Sequence, residues 1–378
     1  MPRPLRTPTV ELHRHFEAGL TPEPIARLAA RHGVTETRTR SGMVVAGIDP
    51  QDPAAIRRYY QTVAAGFSSP DGFTRFVDSF GLPLSVLQSL EDLEEAVFDQ
   101  LIACAAAGSL HTELRGSPFT YRERIDGTLE EIAVALVRGA ERAWDERGVS
   151  GAFILSFSRQ KGLAEPDAPD AERQAPVIAA LAARLHRRER PVGLDIAGYP
   201  EMRYPPRMFE QALTPAIDAG VPITVHAGEQ GSFPDFADAP PSLIAEAVER
   251  LGAQRIGHGT ALAVSAGARA IIRERRVTIE CCPVSNDRMG FVRVADHPLP
   301  LFLEEGLRAS VSTDDPLMFG AFSVADMWEE IADALPLGAE ALRQMTRNAI
   351  DGAFVSDERR SLLRQQLTPD RGTPACRC

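Results

Sequence analysis

The 378-residue sequence predicts an α/β fold, a (β/α)8 TIM barrel, on three observations. Short apolar runs alternate with helix-length patterns, the runs number eight, and no linker or internal repeat divides the chain. Strands separated by helices pair in parallel, and eight such units close on themselves. The whole chain, 1–378, therefore reads as a single barrel domain.

Taken in order, the first run is 9–13, which leads into Val10-Glu11-Leu12-His13-Arg14-His15. Side chains alternate along a strand, so His13 and His15 share one face and Arg14 takes the other. Residues 16–109 then intervene, too many for an ordinary connection. They hold a polar stretch, 35–53, and helical patterns around 54–66 and 72–81, and read as a helical lid inserted after the first strand. Phe73, Phe76 and Phe80 share a helical face, which either packs on the barrel or gates its mouth. The second run is 110–115. Helical pattern 129–147 leads to the third run, 151–157, and 173–188 to the fourth, 192–197. Patterns 208–219, 242–251 and 266–275 precede runs 223–226, 255–257 and 277–281, and the eighth run is 309–312. A Phe- and Pro-containing loop, 232–239, follows the fifth run. The tail 367–378 reads as frayed.

Composition narrows the function classes. A net charge of −11 and a pI near 5.3 disfavour nucleic acid and anionic membrane as partners, since phosphate binding leans on clustered Lys and Arg. No run of about eighteen apolar residues is present to span a bilayer. The start leads into a strand without the apolar core of a signal peptide. Five scattered cysteines suggest reduced thiols rather than a disulfide framework. These features point to a cytoplasmic enzyme.

The chemistry gathers at strand ends. The fifth run ends in Val225-His226-Ala227-Gly228-Glu229, the sixth in Ile256-Gly257-His258-Gly259 and the eighth in Ser312-Thr313-Asp314-Asp315-Pro316. In a parallel barrel all strands end on one face, so these pieces meet His13 and His15 there. Three histidine nitrogens and one carboxylate oxygen suit zinc and leave room for a water. His32 and His186 read as solvated, and His111 as structural.

These segments resemble the adenosine deaminase family of zinc hydrolases. The matching pieces run in order over nearly the whole chain: Glu11-Leu12-His13-Arg14-His15, Thr112-Glu113-Leu114-Arg115-Gly116-Ser117-Pro118, Gly193-Leu194-Asp195-Ile196-Ala197-Gly198, His226-Ala227-Gly228-Glu229, Arg255-Ile256-Gly257-His258-Gly259, Glu280-Cys281-Cys282-Pro283-Val284-Ser285-Asn286 and Ser312-Thr313-Asp314-Asp315-Pro316. The resemblance implies one zinc per chain on His13, His15, His226 and Asp314. It implies Glu229 as the acid at N1 of a purine, with His258 and Asp314 handling the attacking water. Asp315 would meet N7 and the Gly198 N–H would meet N3, with His15 and Glu17 also against the substrate. The implied reaction removes the 6-amino group of an adenosine-type nucleoside as ammonia.

Two departures concern the sugar end. Phe16-Glu17-Ala18-Gly19 stands where adenosine enzymes have an apolar residue, Asp, Gly and Ser, and loop 232–239 is long. Free adenine, or a 5′-modified adenosine such as aminodeoxyfutalosine, is the alternative substrate. An inactive barrel kept as a binding protein is the alternative of another class. The carboxylate of Glu17 is expected to make AMP a poor substrate, because like charges repel. The single lysine, Lys161, favours a mononuclear site over one bridged by a modified lysine. Oligomeric state is not encoded in any of these motifs.

Overall fold

A computed structural model describes residues 7–69, 71–159, 171–198, 203–229 and 239–367. Within them, eight strands form one parallel sheet in chain order: β1 (Thr9–His15), β2 (Ser109–Gly116), β3 (Gly151–Ser158), β4 (Gly193–Ala197), β5 (Ile223–Ala227), β6 (Arg255–His258), β7 (Thr278–Cys281) and β8 (Arg308–Val311). The barrel closes through a parallel bridge between Arg14 and Asp314. There the His15 N–H donates to Asp314 O at 2.9 Å, and the Asp314 N–H to His13 O at 3.1 Å. The Ser312 hydroxyl oxygen accepts from the N–H groups of Leu12 and His13 at 3.2 and 3.1 Å, standing in for a ladder carbonyl. This is the (β/α)8 barrel expected from the sequence.

Two details differ from that expectation. β1 runs two residues past 13, because β2 extends to Gly116 and pairs Leu114 with Arg14 and Arg115 with His15. Between Glu11 and Arg14 the register slips against Thr112 and Leu114, a bulge of the sort that re-aims side chains beside sites. The second difference is in the segment 16–109. Its last helix, Leu90–Ala106, packs on β2 and on helix Leu129–Arg147, as the crossover helix of the first β/α unit. Ser89 starts it by accepting from the Asp92 N–H at 3.1 Å, and Leu93, Ala96, Val97 and Leu101 are its buried face.

The preceding helices of that segment sit over the barrel's mouth. Phe76 stacks on Phe319, the ring centroids 5.9 Å apart, and Phe67 meets both edge-on at 5.5 and 6.1 Å. Phe319 follows β8, so aromatic packing ties the insertion to the end of the barrel. The apolar core lies between sheet and helices, where each fully buried Leu, Ile or Phe contributes roughly 1.5–3 kcal/mol. The strands also carry fully buried charged side chains, Glu113, Arg115, Asp195, Arg255 and Glu280. Among the described residues no helix is long and apolar enough to cross a membrane.

Candidate active site

At the C-terminal mouth, β1 supplies His13 and His15, β5 supplies His226, β6 supplies His258, and the turn after β8 supplies Asp314 and Asp315. Gly257 makes room for the first of these, since a Cβ there would lie 2.9 Å from His13 Cε1. Asp314 Oδ1 lies 3.2 Å from His13 Nε2 and 3.3 Å from His15 Nε2, which is itself 3.3 Å from His226 Nε2. Such separations are edges of a tetrahedron about 2.0 Å from centre to corner, the distance at which zinc holds nitrogen and oxygen. His13 Nε2 and Asp314 Oδ1 are buried and make no hydrogen bond among the described residues. Buried polar atoms without partners are costly, so convergence of two of them fits a cation at the centre.

The outer nitrogens are fixed from behind. His13 Nδ1 lies 2.7 Å from Glu280 Oε2, and His226 Nδ1 lies 3.1 Å from Asp195 Oδ1. Each carboxylate orients its ring and leaves Nε2 for a metal. Burial, with help from the neighbouring imidazoles of His226 and His13, pushes His15 down to about 3. Burial also lowers His226, against the pull of Asp195. Neutral imidazole is the form that binds metal. Burial opposes the charge on Asp314, but His13, His258 and His15 outweigh it and hold the carboxyl well below its usual range. The Cys282 sulfur also lies near His13, His258 and Asp314. Burial pushes that thiol well up, so it stays protonated.

His258 and Asp314 both have left-handed backbone, φ 62° and 65°, which is uncommon outside glycine. His258 Nε2 lies 3.8 Å from Asp314 Oδ2, and His258 Nδ1 lies 3.3 Å from Glu229 Oε1. Burial lowers His258 well below its ordinary value. Two residues given no role above join this group. The Ser285 hydroxyl donates to Asp314 Oδ2 at 2.7 Å, and the Asn286 amide donates to Glu229 Oε1 at 3.3 Å. Both lie in the short helix Pro283–Arg288 that follows β7, on the same face of the barrel as the ends of the other strands.

Above these groups lies a cleft of about 210 Å³ whose walls include Gly198, Glu17, Arg40 and Phe73, Phe76 and Phe80. The phenylalanines thus both pack on the barrel and line its mouth. Burial raises Asp315 well above the usual carboxylate range, reinforced by Asp314, Glu17 and Glu229. In its protonated form this carboxyl would offer the cleft a hydrogen-bond donor. Glu17 is buried and accepts from the Tyr121 hydroxyl at 2.6 Å. Burial raises its pKa against the opposing effects of Tyr121 and Arg40. Arg40 comes from the polar stretch 35–53, where nothing local signalled a place in the cleft. Residues 232–238, Lys161 and the tail beyond 367 lie outside the described residues.

Below the histidines the barrel holds an ionic layer. Arg115 reaches Glu280 at 2.8 Å and Asp195 at 3.4 Å, and Arg255 reaches Glu280 at 2.6 Å and Glu113 at 2.7 Å. All five side chains are completely buried. His111 belongs to this structural layer, with Ser150 at 2.8 Å and Glu113 at 3.2 Å. His32, expected in solvent, instead pairs with Asp92 at 2.7 Å, because Asp92 lies on the crossover helix beneath it.

Comparison with known proteins follows the geometry. The chain matches the family model described as adenosine deaminase over residues 8–369. An adenosine deaminase of Enterococcus faecalis is 29% identical over 361 residues, covering 95% of this chain and 96% of that one. An aminodeoxyfutalosine deaminase of Acidothermus cellulolyticus is 32% identical over 363 residues, covering 95% and 90%. The solved adenine deaminase of Arthrobacter aurescens superposes with a TM-score of 0.75 at 28% identity, covering 96% of this chain and 98% of that one.

Proposed function

The chain belongs to the adenosine deaminase family, and on that premise we propose that it hydrolytically removes the 6-amino group of an adenosine-type nucleoside. One zinc per chain is held by His13, His15, His226 and Asp314. The observation that carries this is the meeting of those donor atoms at 3.2–3.3 Å, with His13 Nε2 and Asp314 Oδ1 buried and unbonded. When bound, zinc supplies a Lewis acid that lowers the pKa of water from 15.7 toward about 7.

The rest is done by side chains. His258, kept neutral by burial, accepts a proton from the attacking water, and Asp314 Oδ2 orients that water. Attack at C6 pushes an electron pair onto N1, where Glu229 delivers a proton. The proton taken up by His258 passes to the 6-amino group. The C6–N bond breaks as the C6 hydroxyl returns its proton to the Glu229 carboxylate and becomes the carbonyl, and ammonia leaves. Asn286 and His258 hold the Glu229 carboxyl, each 3.3 Å from its Oε1. Asp315, raised well above the usual range, donates to N7, which can only accept. Gly198, at φ 75°, offers its N–H to N3, a close approach that suits a residue without a side chain. His15 and Glu17 border the substrate, the latter at the sugar end. Buried free thiols at Cys104, Cys281 and Cys282 suit a reducing compartment such as the cytoplasm.

Free adenine is the second reading, favoured by Glu17, whose carboxylate occupies the sugar end of the cleft with Tyr121. The test is zinc content together with ammonia release from adenosine, 2′-deoxyadenosine and adenine. One equivalent of zinc and turnover of a nucleoside are expected. Turnover of adenine alone would move the assignment to the second reading. Zinc-loaded protein that releases no ammonia from any purine would leave the barrel as a binding protein.

A further inference from the structure

Behind the metal ligands, β1 carries a buried ion pair that the deaminase reading leaves without a task. Between Glu11 and Arg14 the register slips against β2. Residues three apart on an unbroken strand lie on opposite faces, but here Arg14 Nη1 comes within 3.5 Å of Glu11 Oε2. Both side chains are buried. The pair closes on Thr313, the residue before Asp314. Glu11 Oε1 accepts from the Thr313 N–H at 2.9 Å and from the Thr313 hydroxyl, whose oxygen accepts from Arg14 Nη1 at 3.2 Å. The same guanidinium donates to Phe322 O at 3.2 Å and to Gly19 O at 3.0 Å. Arg14 therefore holds the segment after β8 at two points, one on each side of Asp314 and Asp315. It ties both to the short helix Phe16–Gly19 that follows β1. A Cβ at position 19 would run into Gln100 Oε1 and lie 3.1 Å from Arg14 Nε, so glycine there leaves room for both side chains.

We propose that Glu11, Arg14 and Thr313 are positioning residues: together they hold the left-handed turn at Asp314, and with it the aim of that carboxylate toward His13 and His15. This rests on the reading of His13, His15, His226 and Asp314 as the zinc ligands. Asp314 has φ 65°, a conformation that persists in a residue with a side chain only where the surroundings over-determine it. Its own N–H and C=O are fixed by His13 and His15, and the residue before it is fixed by Glu11 and Arg14. None of the three lines the cleft, so they reach the chemistry only through Asp314. Glu11 and Arg14 carry opposite charges and add no net charge beside the metal. Their effect is therefore one of geometry.

The test compares wild type with Arg14→Met, Arg14→Lys, Thr313→Val and Arg360→Met. Arg360 donates to the carbonyls of Asp351 and Ala353 at 2.9 and 3.0 Å, capping the helix Ala339–Gly352 beside the strand starts at Val277 and Arg308. Its replacement is the purely structural control. Zinc affinity is measured by competition with a chelator, and amide exchange on the metal-free chains. Arg14→Met should weaken zinc binding by about 10–100-fold, the range for a lost partner behind a metal ligand. Arg14→Lys should recover part of this, since an ammonium can meet Glu11 and Thr313 but lacks the fork that also reaches Gly19 and Phe322. Thr313→Val keeps the volume and the N–H; it should weaken zinc binding by less, and it answers the question should Arg14→Met not fold. Arg360→Met should lower unfolding stability and leave zinc affinity as it is. Zinc affinity unchanged in Arg14→Met and Thr313→Val, or lowered equally in Arg360→Met, would overturn the proposal. The zinc reading is checked separately, by zinc uptake in His226→Ala. If that variant binds zinc as wild type does, the ligand set is wrong, and exchange of the Asp314 amide without metal decides on the clamp. Faster exchange there in Arg14→Met than in Arg360→Met upholds it, and equal rates sink it.

Discussion

Two polar layers lie one above the other inside this barrel, and they solve the same problem in opposite ways. In the lower layer, Arg115, Arg255, Glu113, Glu280 and Asp195 are completely buried and ion-paired with one another at 2.6–3.4 Å. The Arg255 guanidinium also lies 3.6 Å above the Phe354 ring. Each charge there has its counter-charge within the protein. In the upper layer, His13, His15, His226 and Asp314 turn donor atoms toward a shared point and leave two of them unbonded. The lower layer is closed chemistry and the upper one is open. The difference is one of charge pairing and not of hydrogen-bond count. Glu113 Oε2, Arg115 Nε and Arg255 Nε of the lower layer also make no hydrogen bond among the described residues, but each belongs to a side chain with an opposite charge within 3.4 Å. The upper layer instead brings three imidazoles and one carboxylate to one point. The two layers are also joined, since Glu280 and Asp195 belong to the lower one and orient His13 and His226 of the upper.

Substitutions can break this contrast. The largest effect is expected from His226→Ala, which should remove most of the zinc and the activity together while the barrel stays folded. Metal analysis beside an ultraviolet assay checks it; zinc retained at one equivalent would exclude His226 as a ligand. Glu229→Gln should keep zinc and fold but lower turnover by about 10²–10⁴-fold, because an amide has no proton to give N1. Near-normal turnover in that variant would exclude Glu229 as the acid.

The lower layer should respond in stability instead. Arg255→Met leaves Glu113 with His111 as its ion-pair partner and Glu280 with Arg115 as its one guanidinium, and should cost about 3–5 kcal/mol in denaturant unfolding. A loss of only a few tenths would mean the layer is not closed. A smaller effect should appear with pH. Burial opposes ionisation of Glu113, but Arg255 and His111 outweigh it and hold its carboxyl below the usual range. The folded chain therefore binds that proton less tightly than the unfolded chain, where a glutamate titrates near about 4.3. The stabilisation is complete above that value and is lost as pH falls through the folded one. Tm should drop on acidification below about pH 4.5, and less steeply in Glu113→Gln.

How much of this could be read from the sequence differs between the layers. The upper layer was legible because each of its donor side chains ends an apolar run, and a parallel barrel sends all such ends to one face. His13 and His15 needed only the two-residue period of a strand. The lower layer was not legible as a unit. Its members sit inside strand runs, at Glu113, Arg115, Asp195, Arg255 and Glu280, and their pairing crosses the barrel: Arg115 and Glu280 are 165 positions apart. Local periodicity carries no information about which strand faces which. A charge within an otherwise apolar strand is the available signal, and five of them with mixed sign imply an internal partner set. Arg40 was hidden for the reverse reason, as one polar residue in a polar stretch. The helix Leu90–Ala106 was absorbed into the insertion because it precedes β2 without a break in composition.

The way the sheet shuts has a mechanical side. The polypeptide is wound like a belt whose ends, Leu12 and Ser312, are 300 positions apart. Few backbone contacts fasten them, with a serine hydroxyl filling in. Bringing such distant segments together costs chain entropy that grows only as the logarithm of their separation, so a single added link has leverage over the entire loop. With zinc in place as proposed, His13 and His15 on one end and Asp314 on the other make the ion a buckle. Stripping the metal should therefore be felt first at this fastening. The amides of His15 and Asp314 should exchange with deuterium sooner than those of β3 and β4, before any change in the far wall of the barrel.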